Sequence, residues 1–330
     1  MTGSRLHPSR LAAHGGRSPL PIDLSASLNP LGPSQLALSA ARGAELGRYP
    51  DPEAAALMAA AAARHGIPPD AVVPVPGASW GLWFCLVTYG GPGRSCLALG
   101  PCFGEYRRGA EIAGCRYQET ELGLQKALES RPDLLLVGNP ANPAGGALAA
   151  RALTAACEAN EGTLFLVDEA FAAFAPDGTS LVEGRLPPAN AIVVRSLTKE
   201  LALPGLRMGY LVAAVERATA LRTTLPAWPL SAPALAAATA GCADLEHIRA
   251  GAEVARRHVR LMAEALTKGG FGVCPSSANY LLCRAPGLLE RLAARGIAGR
   301  DCGSFGLAGH VRLAAPSPAE LPLVLEALGG

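Results

Sequence analysis

Ser196-Leu-Thr-Lys199-Glu-Leu-Ala-Leu-Pro-Gly-Leu-Arg207-Met-Gly-Tyr210 is the most informative stretch of this sequence. It follows a short apolar run at residues 192–194, from which only Arg195 separates it. Continuous apolar runs bounded by turn residues are typical of strands that are buried on both faces of a parallel sheet. We therefore expect Lys199 to lie just beyond the end of a buried strand.

Two earlier apolar runs also end in polar residues. Leu134–Gly138 leads into Asn139-Pro-Ala-Asn142, and residues 164–167 lead into Asp168-Glu-Ala-Phe171. In open α/β sheets, ligands bind beyond the carboxyl ends of the strands. Asn142, Asp168 and Lys199 are therefore predicted to converge on one crevice.

The surrounding pattern predicts a doubly wound α/β domain. Further strands, at residues 71–75 and 95–99, alternate with helices at 79–88 and 105–113. A helix is predicted over residues 52–65, with Asp51 as its N-cap and Pro52 at its first position. The opening forty or so residues are rich in Gly, Pro and Ser, and we expect an extended arm there.

The pattern changes after about residue 215. A long helical region over residues 232–268 ends at Gly269-Gly270, which is a helix-stop signal. Short strands at 280–283 and 311–314, with a helix at 287–295 between them, indicate a small α+β domain. The predicted division is an N-terminal arm at 1–47, a large domain at 48–215 and a small domain at 216–330.

Composition narrows the function classes. The chain has 330 residues, of which 50% are hydrophobic and 17% charged, and its net charge of +2 gives no reason to expect a nucleic-acid or membrane partner. Its nine cysteines show no zinc-ligand spacing, and their odd number suits a reducing compartment. The basic N-terminus lacks the apolar segment of a signal peptide. We expect a cytoplasmic enzyme.

The polar strand ends suggest a specific chemistry. A buried carboxylate such as Asp168 needs a positive partner, and a desolvated lysine becomes a usable nucleophile. Pyridoxal 5′-phosphate meets both requirements, because its ring nitrogen can face Asp168 and its aldehyde can react with Lys199. Lys126 lies in a polar stretch and Lys268 at a helix end, so they are weaker candidates. Taken singly, Asp168 could be a capped loop carboxylate, Asn142 a turn residue and Lys199 a solvated surface lysine. Their joint placement favours a site.

The three motifs at residues 139–145, 168–171 and 196–210 resemble the signature blocks of class I and II aminotransferases. These enzymes are pyridoxal-phosphate-dependent transferases of fold type I, with a large domain built on a mostly parallel central sheet flanked by helices and a smaller α+β domain. The resemblance implies that Lys199 forms the Schiff base and moves protons. It assigns Asn142 to the cofactor 3′ oxygen, Asp168 to the ring nitrogen, and Ser196 and Arg207 to the cofactor phosphate.

Other segments match the same family. Gly77-Ala78-Ser79 precedes a helix, as the family's phosphate loop does, and its amides would hold the dianion. Phe103 corresponds to the aromatic residue that stacks on the cofactor ring, although a core aromatic is the alternative. Tyr49 resembles the tyrosine that reaches the cofactor phosphate of the other subunit, which implies a homodimer with shared active sites.

Two further positions bear on substrate and cofactor. Arg312 matches the arginine that binds the substrate α-carboxylate with a bidentate fork, although a lone arginine in a strand could also be a surface residue. Many family members have Tyr where this chain has Phe171, so one hydrogen bond to the 3′ oxygen is missing here. Whether another donor replaces it is left open.

Within the family, the chain most closely resembles the L-threonine-O-3-phosphate decarboxylases of the cobalamin (vitamin B12) pathway. The resemblance rests on His14-Gly-Gly, the segment at residues 23–32, Arg48-Tyr-Pro-Asp, Asp168-Glu-Ala-Phe and the region around Arg300. It implies decarboxylation of L-threonine O-3-phosphate to (R)-1-aminopropan-2-ol O-phosphate. Candidates for the substrate-phosphate pocket are Arg300, His14, Gly15 and Asn29. The alternatives are a histidinol-phosphate-type aminotransferase and a non-catalytic binding subunit.

Overall fold

The computed structural model describes residues 14–329, so the first 13 residues of the predicted arm and Gly330 lie outside the described residues. The helices are α1 (Gln35–Arg42), α2 (Ala55–His65), α3 (Ala78–Tyr89), α4 (Gly104–Ile112), α5 (Leu124–Leu128), α6 (Ala150–Glu158), α7 (Leu197–Glu200), α8 (Val215–Thr224), α9 (Ala232–Ala243), α10 (Leu245–Lys268), α11 (Leu288–Ala293) and α12 (Leu321–Gly329). The strands are β1 (Ile22–Asp23), β2 (Val72–Val75), β3 (Ser95–Leu99), β4 (Arg116–Thr120), β5 (Leu134–Gly138), β6 (Leu164–Asp168), β7 (Ala191–Ser196), β8 (Gly209–Ala213), β9 (Gly272–Val273), β10 (Tyr280–Arg284), β11 (Ile297–Ala298), β12 (Arg300–Asp301) and β13 (His310–Ala314).

A seven-stranded sheet in the order β2-β8-β7-β6-β5-β3-β4 forms the centre of the large domain. All its neighbouring strands pair in parallel except β8, which runs antiparallel to both β2 and β7. β5, β6 and β7 are consecutive in the sheet, so the residues that follow them emerge at one edge. The predicted α/β fold class with a mostly parallel central sheet is confirmed.

Both faces of this sheet are buried, as the apolar runs predict. Along β5 and β6, one face contributes Leu135, Val137 and Phe165 to one core cluster, and the other contributes Leu134 and Leu166 to a second. Helices α1, α2, α5, α6 and α9 cover the first face, and α3, α4 and α8 cover the second. Burial on both sides explains why these strands show no polar alternation.

The small domain has its own sheet and core. Strands β12-β13-β10-β9 form an antiparallel sheet, and β1 of the N-terminal segment pairs in parallel with β11. Most of α10 packs here together with α11 and α12, and Ile22 and Leu24 of the arm join the same cluster. The arm therefore completes the small domain.

Two predicted elements near the N-terminus differ from the structure. The arm is not extended throughout, because Ser34 accepts a hydrogen bond from the Ala37 amide and caps α1. The next helix begins at Ala55 rather than Pro52. The Asp51 carboxylate accepts hydrogen bonds from the amides of Glu53 and Ala55. Ala54, with a φ of 53°, lies in the left-handed region and so delays the start of the helix.

The predicted helix over residues 232–268 is two helices. Asp244 ends α9 and its carboxylate accepts from the His247 amide to start α10. The helices α8 and α9, which the sequence assigned to the small domain, contribute buried side chains to the clusters over the large sheet. The boundary at residue 215 stays a prediction, and packing favours a later one within α10.

Neither a membrane-spanning helix nor a metal-ligand cluster occurs in residues 14–329. None of their helices is long and apolar enough to cross a membrane. No cluster of three or more His, Cys, Asp or Glu side chains in this range could hold a metal ion. All nine cysteines fall in the described range as free thiols.

Candidate active site

A cavity of about 530 Å³ opens at the edge of the large sheet where β5, β6 and β7 end. We call it the central cavity. Its lining includes, from the large domain, Ala78, Ser79, Phe103, Asn142, Asp168, Ser196, Lys199 and Arg207; from the N-terminal segment, His14, Gly15, Ser25 and Ser27; and from the small domain, Arg300 and Arg312. Most of the side chains that the sequence singled out are therefore brought together here.

Lys199 lies on the single turn of α7, directly after β7. Burial lowers the pKa of its ammonium to about 8, with help from the positive charges of Arg312 and Arg207, while Asp168 opposes the shift. A buried lysine with this pKa is partly neutral near pH 8 and can act as a nucleophile or exchange protons. Its Nζ lies 5.9 Å from the centre of the Phe171 ring.

Asp168 is the last residue of β6 and faces the cavity. Its Oδ1 accepts from the Ala170 amide at 3.0 Å, and its Oδ2 accepts from the Tyr106 hydroxyl at 2.9 Å. Burial raises the pKa of this carboxyl, although the two hydrogen bonds and Lys199 oppose the shift. Such a carboxylate is stabilised by a cation placed beside it, as a protonated ring nitrogen would be.

An anion cradle lies at the amino end of α3. Gly77, with φ of 91°, caps this helix without a side chain, so the first amides of α3 are available to a ligand. A Cβ atom at Gly77 would come within 2.8 Å of Nη2 of Arg207, so glycine is what allows this close approach. Ser196, at the end of β7, and Ser79, in the first turn of α3, also line the cavity.

Arg312 of β13 is buried and held by neutral acceptors. Its Nη1 donates to Oδ1 of Asn142 at 2.6 Å and its Nη2 to the Ser25 carbonyl at 2.8 Å. Its Nε is buried without a hydrogen-bond partner in the described part of the chain. Since none of these contacts is a carboxylate, the positive charge of Arg312 remains available to an anionic ligand.

The cavity lining also includes four charged or titratable side chains, which we call the distal set: His14, Glu105, Arg108 and Arg300. The Glu105 carboxylate is almost fully buried and contacts the His14 ring at 3.0 Å and Arg108 at 2.8 Å. Arg300 donates to Ser304 at 2.8 Å and lies over the Phe305 ring. The formal charge of this set is positive.

Phe103 and Phe171 both line the central cavity. Phe103 lines the cavity at the start of α4 and meets Tyr106 edge-on, and Phe171 meets Tyr280 edge-on with ring centres 4.9 Å apart. The Tyr106 hydroxyl donates to Asp168 and the Tyr280 hydroxyl to the Ala141 carbonyl. Both phenols next to these rings therefore donate to protein acceptors.

Three predicted site residues are not part of the cavity lining: Gly77, which caps α3 next to Ala78, and also Asn29 and Tyr49. The sequence predicts a substrate contact for Asn29, but its amide is buried beneath the cavity wall and donates to the Glu200 carbonyl at 2.8 Å. Tyr49 is 81% exposed in a separate surface cleft, where it stacks on Trp228 with ring centres 4.6 Å apart. Within one chain Tyr49 makes no contact with the cradle.

Sequence reasoning missed several residues of the cavity. Ser27 has a buried hydroxyl without a partner among the described residues, and the Ser25 carbonyl binds Arg312. Arg108 and Glu105 are an i,i+3 pair that looks like an ordinary helix-surface pair in sequence. Glu105 and Tyr106, which bonds Asp168 from behind the lining, lie two and three positions after Phe103, and this closeness was the signal that the sequence offered for them.

Comparisons with known proteins agree with this geometry. The profile of the family described as "Aminotransferase class I and II" matches residues 21–328. A histidinol-phosphate aminotransferase of Symbiobacterium thermophilum is 30% identical over 325 residues, covering 93% of this chain and 89% of that protein. The chain therefore belongs to the class I and II aminotransferase family.

Solved structures share the fold. A histidinol-phosphate aminotransferase from Sinorhizobium meliloti, in complex with pyridoxal 5′-phosphate, superposes with a TM-score of 0.85 at 21% identity, covering 99% of this chain and 97% of that one. An L-threonine-O-3-phosphate decarboxylase from Porphyromonas gingivalis superposes with a TM-score of 0.77 at 23% identity, covering 86% and 90%. The predicted family and its cofactor class are confirmed, while the reaction is not distinguished.

The residues present fit pyridoxal 5′-phosphate. The Arg207 cradle suits the phosphate dianion, and Asp168, whose buried carboxyl lacks a cationic hydrogen-bond partner in the described chain, suits the ring nitrogen. Lys199 is the one lysine in the cavity lining, and its lowered pKa suits attachment to an aldehyde. When bound, this cofactor supplies an electron sink for bonds at the substrate α-carbon.

Proposed function

We propose that this protein binds pyridoxal 5′-phosphate at Lys199 and decarboxylates L-threonine O-3-phosphate to (R)-1-aminopropan-2-ol O-phosphate, a step of cobalamin biosynthesis. One observation carries the choice of reaction. His14, Gly15 and Arg300 link the sequence to the decarboxylase branch. The first two lie near the start of the chain and Arg300 near its end, yet all three line the same cavity as Lys199.

The distribution of charge supports a substrate with two anionic groups. Arg312, with its neutral partners, is placed to hold the α-carboxylate with its fork. The distal set offers Arg300, Arg108 and a histidine, offset by the single charge of Glu105, and suits a phosphate. A small amino acid phosphorylated on its side chain has both groups.

Each residue then has a defined task. Lys199 binds the cofactor and afterwards delivers a proton, taken up from solvent, to the α-carbon that carbon dioxide has left, for which a pKa of about 8 is well suited. Asp168 holds the proton on the ring nitrogen, and Arg312 fixes the carboxylate that leaves as carbon dioxide. Phe103 and Phe171 exclude water from the reacting atoms.

We also propose that the active form is a homodimer with shared sites. Tyr49 is exposed beside Trp228 and Leu46, which are 46% and 75% exposed, so apolar surface is concentrated around it. A second copy that covers this surface would bring Tyr49 to the partner's Arg207 cradle, as the family resemblance implies. Sedimentation of wild type and Leu46→Glu tests this, since the substitution should produce monomers.

The second candidate is a histidinol-phosphate-type aminotransferase, which the names of the relatives favour over the first. The same cavity suits it in outline, because Arg312 can hold the carboxylate of glutamate and the distal set a phosphate. The choice depends on which bond at the α-carbon is aligned with the cofactor, and that alignment is set by small differences in substrate placement.

A product assay separates the two reactions. Cofactor-loaded enzyme is incubated with L-threonine O-3-phosphate, and carbon dioxide and aminopropanol phosphate are measured. Parallel reactions contain histidinol phosphate with 2-oxoglutarate. Aminopropanol phosphate from the first reaction alone supports the proposal. Glutamate from the second, with no carbon dioxide from the first, overturns it in favour of the aminotransferase.

A further inference from the structure

The turn that carries Lys199 has carbonyls which its own helix does not satisfy. α7 has four residues, so the carbonyls of Lys199 and Glu200 at its end find no partners within it. Both are bonded by Asn29, whose backbone amide donates to the Lys199 carbonyl at 2.9 Å and whose Nδ2 donates to the Glu200 carbonyl at 2.8 Å. Asn29 thus caps this turn from a distant part of the chain.

Asn29 is itself fixed in place. Its Oδ1 accepts from the Leu31 amide at 3.0 Å, and its carbonyl accepts from the Gly32 amide at 3.0 Å, so the side chain and the turn after it hold each other. The residue is 3% exposed. A buried amide that uses both its donor and its acceptor has little freedom to move.

Helix α10 packs directly against the same amide. The His247 carbonyl lies 3.5 Å from Nδ2 of Asn29, and a Cβ atom at Gly251 would come within 2.1 Å of Oδ1. Glycine at position 251 is therefore what allows the helix to approach this closely. The Glu200 side chain is held from another direction, by a bidentate ion pair with Arg64 of α2.

We propose that Asn29 is a positioning residue, which transmits the placement of the N-terminal segment and of α10 to the backbone of the catalytic lysine. The inference rests on the role of Lys199 in the proposed function. Without the Nδ2 donor the buried Glu200 carbonyl is unpaired, the turn relaxes, and Lys199 Nζ leaves its aligned position. Asn29 acts through the lysine and does not touch the substrate.

The test compares Asn29→Ala and Gly251→Ala with Asn190→Ala. Asn190 also donates from its amide to buried loop carbonyls, at Cys157, Asn160 and Thr163, but far from the cavity. The first readout is kcat and KM of the holoenzyme. The second is the pH midpoint at which an amine-reactive reagent labels Lys199 in the apoprotein, with Lys126 and Lys268 as internal references.

We expect kcat to fall roughly tenfold in Asn29→Ala and in Gly251→Ala, with KM changed less than about twofold. The labelling midpoint of Lys199 should rise towards that of the reference lysines in both. Asn190→Ala should lower the melting temperature and leave kcat and the midpoint at wild-type values. Gly251→Ala keeps the proposal testable where Asn29→Ala does not fold.

Two results would overturn the positioning role. One is a wild-type kcat and a wild-type labelling midpoint in folded Asn29→Ala and Gly251→Ala. The other is a raised KM with unchanged kcat in Asn29→Ala, which would indicate that Asn29 contacts the substrate directly. Labelling requires neither substrate nor cofactor, so a failure of the decarboxylase proposal is recognised separately, by the absence of product from the wild type.

Discussion

The Tyr106 hydroxyl donates a 2.9 Å hydrogen bond to Oδ2 of Asp168, which couples α4, the helix that begins just after Phe103, to the carboxylate at the end of β6. Asp168 is buried, and burial raises the pKa of its carboxyl. The hydrogen bond acts in the opposite direction and favours the ionised form. The phenol therefore helps to keep Asp168 anionic, as its proposed role beside the cofactor ring nitrogen requires.

Replacing Tyr106 with phenylalanine should reduce kcat about tenfold, since a hydrogen bond to a charged group is lost. The pKa of Asp168 should rise further, so activity should fall off at higher pH than in wild type as the solution is acidified. A pH profile of kcat measures this. Tyr117→Phe removes a phenol that bonds Glu119 outside the cavity, and it should leave the profile unchanged. An unshifted acid limb in Tyr106→Phe contradicts this role.

Gly77→Ala should weaken the binding of pyridoxal 5′-phosphate about 10- to 100-fold. The new methyl group meets Arg207 at 2.8 Å and strains a backbone whose φ is 91°. Gly123→Ala is a matched control, because Gly123 also caps a helix with a positive φ, of 81°, and nothing lies within 4 Å of its Cβ position. Cofactor titration followed by absorbance gives both dissociation constants. If both variants lose the same cofactor affinity, the loss comes from backbone strain and not from the contact with Arg207.

Arg312→Lys should lower kcat/KM for L-threonine O-3-phosphate roughly 100-fold, because a single ammonium cannot reproduce the bidentate fork. Inhibition by aminopropanol phosphate, which lacks a carboxylate, should change less than about threefold. Arg284→Lys, at the exposed end of the neighbouring β10, serves as control. If product and substrate lose affinity equally, Arg312 does not bind the carboxylate.

The apoprotein should gain stability with rising pH because of Lys199. Its pKa is about 8 in the folded protein and returns to the ordinary value of 10.5 on unfolding. Between these values the unfolded chain binds more protons, so the free energy of unfolding rises with pH. Lys199→Met should remove this rise and be more stable than wild type at pH 7 by up to about 3 kcal/mol. Urea unfolding at pH 7 and 10 measures the difference, with Lys268→Met as control. If the free energy of unfolding changes with pH by the same amount in wild type and in Lys199→Met, Lys199 is not the source of the pH dependence.

Much of this fold was predictable, because strands buried on both faces appear as uninterrupted apolar runs. The same runs located Asn142, Asp168 and Lys199 at one sheet edge, since parallel strands bring their ends together. The break at Asp244 was missed because helical periodicity continues on both sides of it. The start of α2 was missed because Asp51 bonds the amides of an irregular turn as readily as those of a helix.

Contacts between distant segments could not be predicted from the sequence. Asn29 belongs to a motif that suggests substrate binding, and only the packed structure shows its amide against Glu200, 171 positions along the chain. The pair of Tyr106 with Asp168 is likewise a tertiary contact. Patterns along a chain reveal which residues share a face of an element, but they do not show which side chains meet across elements.

Reductive trapping identifies the lysine that carries the cofactor. Holoenzyme is treated with borohydride, which makes the bond between the cofactor aldehyde and a lysine permanent, and peptides are mapped by mass spectrometry. With only three lysines in the chain, each outcome is unambiguous. We predict one pyridoxyl group per chain, on Lys199, and its absence in Lys199→Ala. A pyridoxyl group on Lys126 or Lys268 instead, or none on the wild type, would contradict the assignment of Lys199 as the cofactor lysine.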